Sequence, residues 1–519
     1  MRACPPLRYR TVLPMISKIR SFGISGIRGY EVEVECSLSS GLPAFELVGL
    51  PDAAVKEARD RVRAAAKNCG CRFPVSRLTV NLAPADLKKS GTAYDLPMLL
   101  GILAAAGEIK QPPEDAAFIG ELSLSGETRA VRGALSMAVA AEKAGIKSLF
   151  VPAGNAAEAC FAGGVTIYPV SNVTELLAHL AGNERISPAK TCEIPAEAVP
   201  VIDFADVKGQ ENVKRALEVA AAGGHNILMV GPPGSGKSML AKCLPGILPD
   251  LSRAETLEST EIHSVAGLTD SRNPVLFSRP FRSPHHTISP VAMTGGTSSP
   301  RPGEISLAHN GVLFLDELPE FHMDVLETLR QPLEDGEVTI TRAAGSVTYP
   351  ARFMLVTAMN PCKCGWYGHP SGRCTCSEAA VRRYLSRISG PLLNRIDMFI
   401  EVPSLEYDEI ARRPDAETSA SVRQRVNRAR EIQRERYKKH GLDCNAHIGP
   451  RLISEHCALN AECEAIMRGA FDRLGLTARS YDRILRVART VADLDGADNI
   501  EARHIAEAVQ YRTYDFGVN

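Results

Sequence analysis

Hydrophobic positions follow two different patterns along this chain. In the N-terminal third, Tyr30-Glu31-Val32-Glu33-Val34-Glu35-Cys36 alternates polar and apolar residues, as a strand with one exposed face does. Asp52 to Asn68 predicts an amphipathic helix with Val55, Ala58, Val62 and Ala65 on one face. Leu78–Leu82 reads as a strand, Asp95–Ala106 as an apolar helix and Ser148–Pro152 as a late strand. Together these elements predict an α/β domain over residues 15–181. Residues 182–200 carry Pro188, Pro195 and Pro200 among polar positions and read as a linker. Beyond it the strands become continuous apolar runs, Ile227–Val230, Val312–Leu315 and Phe353–Ala358, as in a sheet buried on both faces. This predicts an α/β core over 201–405. From Tyr407 to Gln510 the pattern is helical, with a highly charged stretch from Val422 to Lys439. Ile484, Val487, Ala488 and Val491 recur there at helical spacing, so 406–519 is expected to form a helical region.

Length and charge narrow the classes. A chain of 519 residues is too long for one core and suggests roughly three domains. With 45% hydrophobic residues and 60 basic against 60 acidic side chains, it reads as a globular protein without a basic coat. Any nucleic-acid binding must then use a local patch. No apolar run approaches the ~20 residues that span a membrane, so no membrane partner is expected. Met1 to Pro14 contains Arg2, Arg8 and Arg10 but no apolar segment long enough for a signal peptide. The expectation is that translation begins at Met15, with 1–14 disordered or a misassigned start. Fourteen cysteines, scattered apart from one cluster, suit reduced thiols and a cytoplasmic location.

The chemistry concentrates in the central segment. Gly231-Pro232-Pro233-Gly234-Ser235-Gly236-Lys237-Ser238 matches G-x-x-x-x-G-K-[ST] at every position, after a buried strand and before a helix. Its glycines let backbone N–H groups turn toward nucleotide phosphates. Lys237 is expected to reach the β- and γ-phosphates and the Ser238 hydroxyl to bind Mg²⁺, so ATP and Mg²⁺ are the expected ligands. Val312–Leu315 ends in Asp316-Glu317, which delivers two carboxylates to the C-terminal edge of the sheet. Asp316 suits the Mg²⁺ shell, and Glu317 suits orientation of the attacking water. Glu337–Arg342 and Ser346–Tyr349 alternate about Ala343-Ala344-Gly345, a hairpin signal. His285 and His286, read as neighbours on a strand, would face opposite ways and rarely share one metal. Cys362, Cys364, Cys374 and Cys376 supply four thiols that suit a tetrahedral structural Zn²⁺, with free thiols as the alternative. Arg373, Arg382, Arg383 and Arg387 lie alongside Trp366, Tyr367 and Tyr384, a basic-aromatic patch suited to nucleic acid or to a subunit interface.

The stretches GLPAFELVGLPDAAVKEARDRV and TVNLAPADLKKSGTAYDLP resemble the N-terminal domain of the ComM/YifB-type magnesium-chelatase-like AAA+ ATPases. The resemblance runs from Met15 nearly to the C-terminus. It implies an α/β multidomain protein: an N-terminal ribosomal-S5-like α+β domain, a P-loop AAA+ α/β core and a C-terminal helical lid. The S5-like fold is shared with Lon-type proteases, whose serine and lysine fall here at Ala93 and near Leu135, so proteolysis is not expected. Phe204–Gln210 resembles the segment beside the adenine. Asn360 corresponds to sensor 1, which hydrogen-bonds the γ-phosphate or the water. Gly390–Asp397 resembles the box whose arginine, Arg395 here, enters the neighbouring subunit's site, with Asn394 where the family usually has Asp. GLTARSYDRILRVARTVADL matches the lid, and Arg479 is the candidate for sensor 2 in the same subunit, with Arg483 and Arg486 as rivals. Phe277–His309 and the 337–349 hairpin correspond to insertions of the magnesium-chelatase branch. The resemblance implies self-association, as a hexameric ring, and DNA as partner. ATP hydrolysis would move DNA through a pore, with branch migration in natural transformation as the outcome. Arg342, at the hairpin turn, is the candidate DNA contact. The alternatives are a magnesium-chelatase motor acting on a protein partner and a Lon-like ATP-dependent protease.

Overall fold

The computed structural model describes residues 16–190, 202–296, 301–342, 345–405 and 417–514. The expected N-terminal tail, most of the expected linker and the beginning of 406–519 lie outside them. Contacts divide the chain into two compact units, Met1–Ile194 with Thr260–Leu276, and Pro195–Ser259 with Phe277–Asn519.

In the first unit the described residues form a mixed seven-stranded sheet. Its order is Ala44–Val48, Arg77–Ala83, Arg28–Ser39, Ile16–Ser25, Ala116–Phe118, Ser148–Pro152, Thr166–Val170. The alternation around Tyr30–Cys36 is resolved as expected: Val32, Val34 and Cys36 point into the core while the glutamates between them stay toward water. The helix Ala53–Asn68 starts where Asp52 caps it, its carboxylate accepting the Val55 N–H at 2.9 Å, a bond worth about 1 kcal/mol. It buries Val55, Ala58, Val62 and Ala65, while Asp95–Ala105 is buried along its whole length. Ala93 and Leu135 are both core residues. Thr260–Leu276 joins this unit, where Thr269 Oγ1 donates to Glu158 at 2.8 Å.

In the second unit a five-stranded sheet of described residues is parallel throughout. Its order is Phe281–Arg282, Val312–Leu315, Met354–Met359, Ile227–Val230, Met398–Glu401. The apolar runs lack alternation because helices cover both faces. One hydrophobic core joins this sheet to the C-terminal helices, among them Ser419–Tyr437, Ala461–Leu474, Ala478–Leu494 and Ala502–Gln510. The protein is thus a mixed α/β multidomain chain with a parallel sheet and a helical C-terminal region. The expected hairpin is present, Glu337–Arg342 pairing with Gly345–Pro350. The Arg342 side chain and the 343–344 turn lie outside the described residues. No helix among the described residues is long and apolar enough to cross a membrane.

His285 and His286 do not lie on a strand, which corrects the sequence reading. They follow the two-residue strand Phe281–Arg282, where Pro284 interrupts pairing, and their rings stand 4.1 Å apart.

Candidate nucleotide site

Strand register brings the predicted residues to one edge. Val230 pairs with Met359 and with Glu401, and Leu315 pairs with Thr357, so the residues after three of these strands emerge together. Those residues are Gly231, Asn360 and Asp316. The loop from Gly231 wraps into the helix Lys237–Ile247 through Gly234 at φ +78° and Gly236 at φ +87°, a left-handed backbone that glycine adopts without strain. Gly231 has a second reason to be glycine: a Cβ there would fall 2.3 Å from the Val402 carbonyl oxygen.

Lys237 Nζ donates to the carbonyls of Gly231 and Pro232, both at 2.8 Å, and to Asn360 Oδ1 at 3.2 Å. Burial lowers its pKa, opposed by the carboxylates of Asp316 and Glu317. Ser238 Oγ donates to Asp316 Oδ2 at 2.5 Å, which joins two hard oxygen donors of the kind Mg²⁺ takes. Glu317 follows in left-handed conformation at φ +54°, its side chain 56% exposed, and His286 Nδ1 lies 3.7 Å from its carboxylate. Backbone strain of this kind in a non-glycine residue collects at functional sites.

Two further parts of this edge lie at the end of Phe204–Gln210, the segment expected beside the adenine. Gln210, also left-handed at φ +59°, donates from Nε2 to the carbonyls of Ser235 at 2.7 Å and Pro403 at 3.2 Å. A cavity of about 610 Å³ opens beside it, lined by Asn212, Ile400, Pro403, Gln510 and Tyr514 among others. Its size suits a nucleobase and ribose next to the phosphate loop.

Arg395 and Arg479 belong to the opposite edge of the sheet. Asp397 N and Met398 N donate to the Asn226 carbonyl at 2.9 and 3.0 Å, ahead of the strand Ile227–Val230 rather than after it. Arg483 Nε lies 3.3 Å from Asp397, and Arg479 sits one helical turn before Arg483. Arg395, Arg479 and Arg486 all repel the Arg483 charge, adding to burial in lowering its pKa. A four-residue strand spans about 13 Å. Helical periodicity identifies the face that carries Arg479 but not the sheet edge on which that face docks, which is set here by Arg483 on Asp397. Arg479 is exposed. Arg395 does not project. It is 12% exposed, donates to the Pro391 carbonyl at 2.7 Å and pairs with Glu334, so Asn394 is not its orienting partner.

The four cysteine sulfurs of Cys362, Cys364, Cys374 and Cys376 lie within 4.8 Å of one another. Separations of 3.3, 3.6 and 3.8 Å among the first three approach the ~3.8 Å edge of a tetrahedron with Zn–S bonds near 2.3 Å.

A family model described as magnesium chelatase, subunit ChlI, matches residues 203–410. Others described as subunit ChlI of Mg-chelatase and as its C-terminal part match 34–155 and 416–512. The chain is 44% identical to the competence protein ComM of Haemophilus influenzae over 498 residues, 94% of this chain and 95% of that protein. It is 43% identical to the protein YifB of Escherichia coli over 502 residues, 96% of this chain and 97% of that one. The chain belongs to the ComM/YifB family of magnesium-chelatase-like proteins. The magnesium-chelatase 38 kDa subunit of Rhodobacter capsulatus shares 28% identity over 186 residues, only 32% of this ComM/YifB chain and 52% of the subunit.

Proposed function

We propose that this ComM/YifB protein is a ring-forming ATPase that uses hydrolysis to move DNA, in branch migration or strand separation during uptake and recombination of DNA. The observation that carries the reading is the meeting of Lys237, Ser238, Asp316, Glu317 and Asn360 on one sheet edge. Lys237 leaves the loop carbonyls to bind the β- and γ-phosphates. Ser238 and Asp316 hold Mg²⁺, which offsets the charge of the phosphate oxygens when bound. Glu317 orients the attacking water, and Asn360 reports the γ-phosphate to the strand behind it. The edge that carries Arg395 and Arg479 faces away from the chain's own phosphate loop, which suits both arginines to a neighbour's nucleotide. Arg395 would reach it by exchanging Glu334 for phosphate, and an arginine so placed can be worth ~10³–10⁵ in rate.

DNA as the cargo is supported by the full-length kinship to a protein named for competence, whereas the magnesium-chelatase subunit matches only a part of the chain. Zn²⁺ at the four cysteines and DNA contact by Arg342 complete the reading. The test is the ATPase rate with no DNA and with single-stranded, duplex and forked DNA. Stimulation by DNA supports the assignment. An ATPase indifferent to all three overturns DNA as the cargo, and Lys237→Ala retaining nucleotide binding overturns the site.

A further inference from the structure

The cysteine loop leans on the phosphate loop. Gly365 stands at φ +86°, and a Cβ there would fall 2.5 Å from Cδ and 3.0 Å from Cγ of Pro233, the third residue of the phosphate loop. Gly365 follows Cys364 directly, and its N–H donates to the Cys362 carbonyl at 3.0 Å, so two of the four cysteines fix its place. Cys362 in turn comes two residues after Asn360, which already holds Lys237. The far arm of the loop reaches the other side of the site. His369 packs edge-on against Trp366, with centroids 5.0 Å apart, and its Nε2 meets Ser404 Oγ at 3.4 Å. Ser404 follows Pro403, whose carbonyl accepts from Gln210.

Between Asn360 and the helix Glu378–Leu385 the chain has turns but no helix or strand. Holding such a segment in one shape costs roughly 1–2 kcal/mol per residue in backbone entropy, and from Lys363 to Ser377 every residue but Gly365 is exposed or half-buried, so little burial offsets it. Four bonds to one metal would supply that order, and the sulfur positions already fit them.

We propose that a zinc ion on Cys362, Cys364, Cys374 and Cys376 clamps the phosphate loop through the contact between Gly365 and Pro233, so that metal loading sets the affinity for nucleotide. The metal is then a control on the ATPase rather than only a local staple. This rests on the nucleotide-site reading above.

The experiment uses the full chain in three forms: wild type, Cys374→Ser and Gly365→Ala. Zinc per chain is measured by metal analysis, affinity with a fluorescent ATP analogue and Mg²⁺, and the melting temperature is followed as a check on folding. Wild type should carry about one zinc per chain. Cys374→Ser should lose it and bind nucleotide roughly tenfold more weakly, the loss expected when a preformed loop must be ordered on binding. Gly365→Ala should keep the zinc yet show a similar loss, because its Cβ collides with Pro233 and a side chain at φ +86° strains the turn that carries it. Stripping wild type with a chelator should weaken binding, and restoring zinc should recover it. A Gly365→Ala protein with unchanged zinc and unchanged affinity overturns the clamp, as does stripped wild type that binds nucleotide normally. Wild type found without zinc overturns the metal site itself. Zinc-loaded wild type that binds no nucleotide refutes the ATP-site reading instead.

Discussion

Replacing Asp397 by asparagine removes the carboxylate at the centre of an arginine cluster. Asp397 is buried, accepts the Asn226 N–H at 3.0 Å, lies 3.3 Å from Arg483 Nε and 3.8 Å from His225 Nδ1. Arg512, whose pKa burial and the neighbouring Arg483 lower to about 10, donates to the Ile396 carbonyl beside it. An asparagine keeps the shape and the bond to Asn226 but leaves buried guanidinium groups without their counter-charge. Breaking one partner out of a buried ion pair costs about 3–5 kcal/mol. At roughly 1.5 °C per kcal/mol for a unit of this size, from an unfolding entropy of about 2.1 cal/mol/K per residue, the melting point of the second unit should fall by about 5–8 °C. The pH dependence has a definite sign. Burial acts to raise the Asp397 pKa, but His225, Arg483 and the Asn226 N–H outweigh it and hold it below the usual carboxylate value. A carboxyl with a lowered folded pKa contributes fully above its unfolded value, near 4, and loses that contribution only as pH falls through the lower one. The penalty in Asp397→Asn should therefore persist from pH 8 down to pH 5.5, read by calorimetry. A shift below 2 °C, or one that disappears by pH 5.5, would refute the reasoning.

Two other substitutions test separate parts of the account. Arg342→Ala should leave basal ATPase and assembly near wild type while reducing DNA stimulation and strand displacement. Normal displacement would remove the hairpin from the DNA path, and loss of assembly would make Arg342 an interface residue. Gln210→Ala gives up the bridge between Ser235 and Pro403, and at about 1–2 kcal/mol should weaken nucleotide binding by roughly fivefold to thirtyfold with kcat little changed. An unchanged Kd would show that the bridge is incidental.

Much of this was legible in the residues because parallel strands buried on both faces leave a distinctive signature. Ile227–Val230 and Val312–Leu315 are wholly apolar, and each stops at a residue of the candidate nucleotide site, Gly231 and Asp316. The edge of the sheet could thus be read from where the apolar run ends. Arg479 could not be placed that way, since its helix docks through Arg483 on Asp397, a partner set by tertiary packing. The pairing of Arg395 with Glu334 joins residues on separate elements and leaves no local pattern. Thr260–Leu276 joins the first unit although composition does not change at Thr260. His286 lies in a loop after Phe281–Arg282 rather than on a strand, and its approach to Glu317 depends on that loop. Gly365 has no motif, and only a close approach to Pro233 explains it.

The central claim is that each ATP site is built from two copies of this chain. Mixing Glu317→Gln with Arg395→Ala in equal amounts tests it most directly, because each variant alone has every site defective. If subunits exchange and the sites are shared, about a quarter of the interfaces in mixed rings pair an intact Glu317 with a neighbour's intact Arg395. ATPase activity should then rise well above either variant alone, toward about a quarter of wild type. Activity in the mixture no greater than the average of the two variants, with subunit exchange verified, would contradict the account.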